Sequence, residues 1–457
     1  MKKIIMAYGV FISAAAVLLC ACSAMSPGKR DTTAAGNKAT TAQVQATEHK
    51  TETSSPIVNR TIPAETRVLT GLDILERDGF RQIAGKRIGL ITNHSSVNMK
   101  GENAADVLWR AKKIKLVKIF SPEHGFRGIE NEGVRIESST DTATGLPVIS
   151  LYGRNRLRPT QEMLKDIDVL VFDIQDIGAR FYTYLTTMGY AMEEAARAGI
   201  DFVVLDRPNP IGGITEGPVL EDGISLFTAY YRVPARHGLT AGEMALFHKS
   251  RAAEGSLLAR LNLRIIKMEN WNRNIFFNET GIKWTDPSPN IREPAAEVLY
   301  PGIGCFEASN LSVGRGTDIP FLWFGAPWLD GSKLAAQLNA DLLPGVSFTE
   351  LSLTPDRSVH KGIKCGGVKI TVTDQKTVRA LDMLVYISWH LKKNHPADFR
   401  FREKEIRDMT GTSALYDMLE AGAGPEEILK IYRQSSAQFK ADTADIRLYN
   451  EPGKKDW

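Results

Sequence analysis

A doubly wound α/β domain built on a mostly parallel sheet, followed by a smaller α+β domain, is the fold class that this sequence predicts. Three observations carry that expectation. From Arg87 onward, short near-continuous runs of Val, Ile and Leu alternate with amphipathic stretches. Runs of that kind fit strands buried on both faces, as in a parallel sheet with helices on either side. Polar clusters follow the carboxyl ends of these runs, where open parallel sheets bind ligands. From about Pro294 the alternation weakens, so the second domain is expected over 293–457 and the first over 67–292.

The strands expected in order are Arg87–Thr92, Leu116–Ser121, Pro147–Leu151, Val169–Asp173, Phe202–Asp206 and Leu263–Met268. Helical periodicity lies between them at Asn103–Lys113, Thr160–Lys165 and Tyr184–Ala198, the last closed by Gly199. Thr240 and Glu243 have capping-box spacing and open a further helix towards Arg251. The Pro-rich stretch Trp284–Pro289 is expected to loop over the crevice or bridge the domains. In the second domain Gly367–Val372 reads as a strand and Thr377–Leu391 as a helix.

What precedes the domains reads as an address. Lys2 and Lys3 lead an apolar run from Ile4 to Leu19, followed by Cys20-Ala21-Cys22. This is a secretory signal with a lipobox-like end, too short for a comfortable membrane span. Cys22 is the expected lipidation site, anchoring the mature chain to a membrane in the cell envelope, on its periplasmic side. From Ser23 to Thr66 there is no Leu, Phe, Tyr or Trp. Such a stretch buries too little apolar surface to offset chain entropy and is expected to be a disordered tether. Cys305 and Cys365 are the remaining cysteines; an oxidising envelope permits them to pair, and sequence leaves the point open.

Composition narrows the function. The 457 residues include 57 Lys+Arg against 53 Asp+Glu, a net charge of +4. That is too weak and too scattered for a dedicated nucleic-acid binder. No GxGxxG follows a strand, and HExxH, GxxxxGK[ST] and GxSxG are absent. Dinucleotide, zincin, P-loop and α/β-hydrolase readings therefore lose their signatures.

The clusters at the strand ends carry the candidate chemistry. Asn93-His94-Ser95 follows the first strand and Pro122-Glu123-His124-Gly125 the second. Glu123, on a loop at a strand end, can be aimed at a substrate as a general acid, or can simply fix its loop. Asp173 and Asp176 straddle the next strand end; they suit proton sharing or a second catalytic role, while an Asp176–Arg180 ion pair is the plainer reading. Phe181-Tyr182-Thr183-Tyr184 adds rings on which sugars stack, although core packing accounts for them equally well. Asp206-Arg207-Pro208-Asn209-Pro210 is stiffened by two prolines. Glu216 and Glu307 are further acids on expected loops. Arg127, Arg180, Arg207, Arg236 and Arg315 lie in Gly- or Pro-bearing loops and offer forks for an anionic substrate group. His94, His124 and His237 lack metal-ligand spacing.

Taken together these loops resemble the exo-β-N-acetylmuramidase family (glycoside hydrolase family 171). The resemblance rests on Ser121–Gly128, Phe172–Tyr184, Asp206–Pro210, Glu216–Pro218, Arg236–Gly238, Pro287–Asn290 and Asn310–Thr317. It runs in order from about Leu69 to the C-terminus. It implies a Rossmann-like domain, a smaller C-terminal domain and a site between them. It also implies release of N-acetylmuramic acid from non-reducing ends of peptidoglycan fragments, without a cofactor. Glycoside hydrolysis needs two carboxyl groups. Glu123 is expected as the general acid and Asp176 as the second group, with Glu307 in reserve. Substrate contacts are expected from Asn93, His124, Arg127, Arg180, Tyr182, Arg207, Asn209, His237, Glu307, Asn310 and Arg315. In one departure His94 follows Asn93, where the family often has proline. Two other classes stay open: a non-catalytic lipoprotein that captures wall sugars, and a metal-dependent hydrolase using His94, His124 and Asp176.

Overall fold

The computed structural model describes residues 62–127, 138–153 and 157–449. The expected signal segment, Cys22 and the tether up to residue 61 lie outside the described residues. At the end of the expected tether, Ala64–Thr66 form one exposed 3₁₀ turn.

The first helix, α1 (Gly71–Arg77), starts in a capping box in which Thr70 Oγ1 accepts the Asp73 amide and Asp73 accepts the Thr70 amide. Then come β1 (Arg87–Thr92), α2 (Ala104–Arg110), β2 (Lys115–Ser121), β3 (Ser139–Thr140), β4 (Pro147–Ser150), α3 (Gln161–Leu164), β5 (Val169–Asp173), α4 (Tyr184–Ala198) and β6 (Asp201–Leu205). A two-stranded pair, β7 (Glu216–Val219) with β8 (Pro234–Arg236), leads to α5 (Ala241–Ser250) and β9 (Leu263–Ile266). The main sheet has seven strands in the order β3-β4-β2-β1-β5-β6-β9. All its pairings are parallel except that of the short edge strand β3. Counted in chain order, the parallel strands run 3-2-1-4-5-6, the Rossmann order. The order reverses between β1 and β5, and the chain leaves those two strands in opposite directions. A crevice therefore opens beyond their carboxyl ends.

Period-two alternation puts the core on both faces of this sheet. Ile88, Leu90, Val169, Val171, Val203 and Leu205 pack under Leu72 and Leu75 of α1 and Leu108 of α2. Ile91, Leu170, Phe172, Phe202 and Val204 belong to the opposite cluster, with Met188 and Met192 of α4 and Met244 of α5. That second cluster continues into the C-terminal part of the chain. There α6 (Pro294–Ile303), β10 (Trp323–Ala326), α7 (Gly331–Ala340), β11 (Val346–Glu350), β12 (Gly366–Val372), α8 (Ala380–Asn394), α9 (Glu403–Thr410), α10 (Ala414–Glu420) and α11 (Pro425–Asp442) surround a small antiparallel sheet of order β10-β12-β11. The α/β domain followed by a smaller α+β region is the expected fold class. No described helix is long and apolar enough to cross a membrane.

Two local differences from expectation have physical causes, and the open question of the cysteines has an answer. Asp206 is not the last residue of β6, because its carboxylate accepts the Gly242 amide at 2.8 Å and the Thr240 hydroxyl at 2.7 Å and so caps α5. Glu216 is not on a loop: it opens β7, buried, with its carboxylate against Arg236 at 2.6 Å. Cys305 and Cys365 do not pair; each is buried as a free thiol and donates to a nearby carbonyl, Pro301 and Ile363 respectively.

The far end of the described chain returns to the first domain, where the Tyr449 hydroxyl donates to Asp206 at 2.7 Å and accepts the Met268 amide at 3.0 Å. Burial pushes Asp206 up to about 6, against the hydrogen bonds that favour its anion. Tyr449→Phe removes one of those bonds and should cost about 1–2 kcal/mol at pH 8. A raised acid is protonated in the fold below its pKa, and the lost bond stabilises mainly the anion. The deficit should therefore shrink as pH falls from 7 to 5, as read by urea unfolding at each pH.

Candidate active site

The crevice is lined from both parts of the chain. A cavity of about 420 Å³ is bordered by Glu123 and His124 after β2, Phe181–Thr183 before α4, Ser288 and Ile291, Tyr300 of α6, and Glu307, Arg315 and Phe321. Leu226 and Thr228, with Glu405, Asp408 and Met409 of α9, also border it.

Glu123 is 9% exposed, and its Oε2 accepts the Thr183 hydroxyl at 2.6 Å. The loop that presents it turns through two left-handed residues, His124 (φ 68°) and Gly125 (φ 75°). Histidine tolerates that region better than bulkier or branched residues, and strain of this kind gathers at functional sites. The His124 ring meets Tyr184 edge-on at 6.4 Å. An aromatic wall faces the carboxylate. Tyr300 sits 5.3 Å from Phe181, 6.3 Å from Tyr182 and 4.8 Å from Phe321 between ring centroids. The hydroxyls of Tyr182 and Tyr184 both donate to the Pro287 carbonyl, at 3.0 and 2.7 Å. The His94 Nε2–H donates to the Asp286 carbonyl at 2.6 Å; burial and then the nearby His124 lower that imidazole's pKa. The Trp284–Pro289 segment thus passes over the crevice, pinned by three donors.

Asp176 stands behind this lining. It is 7% exposed, and its Oδ2 accepts the Gly178 amide at 2.8 Å. Gly178 has φ 78°, and a Cβ there would lie 2.4 Å from Asn209 Oδ1, so only glycine completes this turn. His237 faces the same carboxylate, its Nε2 3.8 Å from Asp176 Oδ2. Because His237 Nδ1 accepts the Leu239 amide at 3.1 Å, Nε2 carries the proton. The sequence-level pairing of Asp176 with Arg180 does not form.

The loop arginines divide sharply. Arg207 is buried and forks onto Asp173, with Nη2–Oδ2 at 2.9 Å and Nε against Oδ1. Its Nη1 holds the Val97 carbonyl at 3.0 Å. Arg180 is buried among the carbonyls of Val233 and Met409, at 3.0 and 2.6 Å, and burial lowers it to about 10. Arg236 is committed to Glu216 and to the Ile211 carbonyl at 2.5 Å. Arg127 pairs with Asp141 at 2.6 Å outside the cavity lining. Arg315 does line the cavity, forked onto Glu307 with Nη2–Oε2 at 3.2 Å and 5.1 Å from the centre of the Phe321 ring. Among the described lining residues it is the only Arg or Lys.

The expected asparagines serve the backbone. Asn93 Oδ1 accepts the Ser95 amide and hydroxyl, Asn209 Nδ2 donates to the Leu239 carbonyl, and Asn310 braces Asp398 and Arg400. Asn93, Arg127, Arg180, Arg207, Asn209 and Asn310 are not among the described residues lining this cavity, and of these Asn93 keeps Nδ2 buried with no hydrogen-bond partner. Conversely, Thr183, Ser288, Tyr300 and Phe321 line the cavity without having been singled out as site residues. Among the described residues no three His, Cys, Asp or Glu side chains converge as a metal site.

Two family models match the chain: the N-terminal domain of exo-β-N-acetylmuramidase NamZ over residues 88–295 and its C-terminal domain over 298–449. A Bacillus subtilis protein named peptidoglycan β-N-acetylmuramidase NamZ is 40% identical over 399 residues, 87% of this chain and 95% of that one. Two Bacteroides fragilis crystal structures described as DUF1343 family proteins are similar. One has a TM-score of 0.78 at 36% identity, covering 84% of this chain and 100% of its own. The other has a TM-score of 0.67 at 28% identity, covering 84% and 99%.

The division of the arginines is testable by stability. Arg207→Met strands a buried carboxylate and should cost about 3–5 kcal/mol in urea unfolding. Arg315→Met, at the cavity, should cost under about 1 kcal/mol.

Proposed function

This chain belongs to the NamZ exo-β-N-acetylmuramidase family, and from that membership we propose that it is an exo-acting glycoside hydrolase that releases N-acetylmuramic acid from the non-reducing ends of peptidoglycan fragments. The observation that carries the assignment of roles is a carboxyl group at the head of an aromatic-walled cavity, held there by a hydroxyl. Glu123 is the general acid that protonates the leaving oxygen, and Thr183 orients its carboxyl. Asp176 is the second carboxylate. Its Oδ1 accepts no hydrogen bond in this structure, which leaves an acceptor for an acetamido N–H or for water. The walls of Phe181, Tyr182, Tyr300 and Phe321 suit the apolar faces of a pyranose.

Muramic acid differs from glucosamine by a lactyl carboxylate. Arg315 lines the cavity and can exchange Glu307 for the lactyl group. The sequence supports two further parts of the proposal. Cys22 carries a lipid anchor that holds the enzyme at the periplasmic side of the cell envelope, and the chain divides into domains near residue 293, where the parallel sheet gives way to the antiparallel one.

The test is release of a chromogenic leaving group from its β-N-acetylmuramide. Glu123→Gln should lower kcat by about 10²–10⁴-fold while the circular dichroism spectrum is retained. A fully active Glu123→Gln refutes the assignment of the acid. No turnover by the folded wild type on this substrate or on a muramyl-terminated disaccharide refutes the enzyme. Arg315→Met should raise KM for the muramide about 10- to 100-fold with little change in kcat. It should also narrow the preference over the matching β-N-acetylglucosaminide. An unchanged preference moves lactyl recognition elsewhere.

A further inference from the structure

The lining of the cavity runs from buried to exposed. Glu123, Thr183, Tyr300 and Phe321 are buried, whereas Leu226, Thr228 and Glu405 are exposed and mark the mouth. Leu226 stands on a tight turn closed by two backbone hydrogen bonds. The Leu226 amide donates to the Ala229 carbonyl at 3.3 Å, and the Ala229 amide donates back at 3.0 Å. Phe227, between Leu226 and Thr228, is not among the described lining residues. Its ring instead meets Tyr152 at 6.1 Å and Tyr190 of α4 at 5.9 Å between centroids.

These three rings form a continuous, half-buried ledge that starts one residue, about 3.8 Å of backbone, from the mouth. Its inner end is fixed. Tyr190 meets Tyr230 edge-on at 4.7 Å, and the Arg158 guanidinium lies 3.7 Å from the centre of the Tyr190 ring. Arg158 and the Tyr230 hydroxyl both bind Glu193, so the base of the ledge is held by ion pair and hydrogen bond. Core packing explains rings that are sealed, as Phe172, Phe202 and Tyr184 are. It does not explain three adjoining rings left partly open to water beside a cleft. Each Å² of such surface costs about 25 cal/mol to leave wet, which a ligand covering it recovers.

Resting on the reading of this chain as an exo-acting muramidase, we propose that Phe227, Tyr152 and Tyr190 form a leaving-group subsite, which holds the glycan beyond the bond that is cut. The occupant is the remainder of the same substrate. Once the terminal sugar fills the cavity, the rest of the chain leaves past Leu226, Thr228 and Glu405, because the remaining lining is buried or half-buried. The ledge continues from that exit. Pyranose rings present apolar C–H faces, which lie against aromatic rings without a demand for charge. The subsite therefore sets the preference for chain length and leaves recognition of the terminal sugar to the cavity.

The test compares two substrates that share the terminal sugar. One is β-N-acetylmuramyl fluoride, whose leaving group is a single atom; the other is a peptide-free tetrasaccharide ending in N-acetylmuramic acid. The readout is the ratio of kcat/KM for the tetrasaccharide to that for the fluoride. Phe227→Ser should lower this ratio about tenfold, through KM for the tetrasaccharide. Phe227→Tyr, which keeps a ring, should hold it within about twofold of wild type. A ratio left alone by Phe227→Ser overturns the proposal, and so does a loss shared equally by both substrates, which marks a role in the fold or the cavity. If Phe227→Ser does not fold, Tyr152→Leu at the outer end of the ledge decides by the same ratio, with about a threefold drop expected. The underlying reading fails differently. Folded wild type that turns over neither substrate removes the muramidase, whereas turnover of both at an unmoved ratio removes only the ledge.

Discussion

The ion pair between Arg207 and Asp173 sits at the point where the main sheet reverses its strand order. Asp173 is the last residue of β5, Arg207 leaves the end of β6, and the remaining donor of the guanidinium takes the Val97 carbonyl beyond β1. Three chain segments that must diverge to open the crevice are thus tied together just beneath it. Removing two charges from water costs several kcal/mol, which only a forked geometry with its hydrogen bonds filled can offset. The same device recurs outward from the crevice. Glu216 and Arg236 pair in full burial, with Glu216 also accepting the Leu381 amide of α8 at 3.2 Å. Glu243 of α5 holds Arg273 and the Leu448 amide. Arg180, whose described partners are backbone carbonyls, ties the loop after β5 to the end of α9 through the Met409 carbonyl. The relative placement of the two sheets depends on these bridges, because the cavity is lined from both sides of them.

Against this background of neutralised pairs, Asp176 and Glu297 of α6 stand apart. Glu123 is held by a hydroxyl, Asp176 by an amide with an imidazole N–H at longer range, and Glu297 by nothing charged or polar. A fold that spends arginines on Asp173, Glu216 and Glu243 yet supplies none to Asp176 or Glu297 keeps those carboxyls responsive to what binds. That is the physical difference between an acid that builds the structure and one that can move a proton.

Much of this was legible in the sequence, for a specific reason. Strands buried on both faces leave a continuous apolar signature, and their ends are marked by the first polar residues, so the edge carrying Glu123 and Asp176 could be located from the pattern alone. The resemblance to the muramidase family then selected the reaction. The arginines were not legible. Arg180, Arg207 and Arg315 all sit in Gly- or Pro-bearing loops, and nothing local separates a guanidinium facing three carbonyls from one facing a cavity. That distinction depends on Met409, Val97 and Glu307, which lie 229, 110 and 8 residues away in sequence. Thr183 was hidden among aromatic neighbours, each of which explained the segment by itself. Glu297 did leave a trace, as a lone acid in the run Ala295–Ile303, but a first-turn glutamate is ordinarily accounted for by the helix dipole.

The shape of the cavity bears on where along a glycan the enzyme cuts. At about 420 Å³ it lies toward the small end of ligand sites, closer to a terminal sugar than to a track for a long strand. One wall is the segment carrying Ser288, whose neighbouring carbonyls at Asp286 and Pro287 are taken by His94, Tyr182 and Tyr184. Those three donors come from the loops after β1 and β5, the two strands at the reversal point. The topology that opens the crevice therefore also supplies the groups that roof it, and a polymer could pass through only by breaking three hydrogen bonds to backbone carbonyls. A chain end needs no such passage. A cavity of this size with that pinned segment in its wall fits action at a chain end.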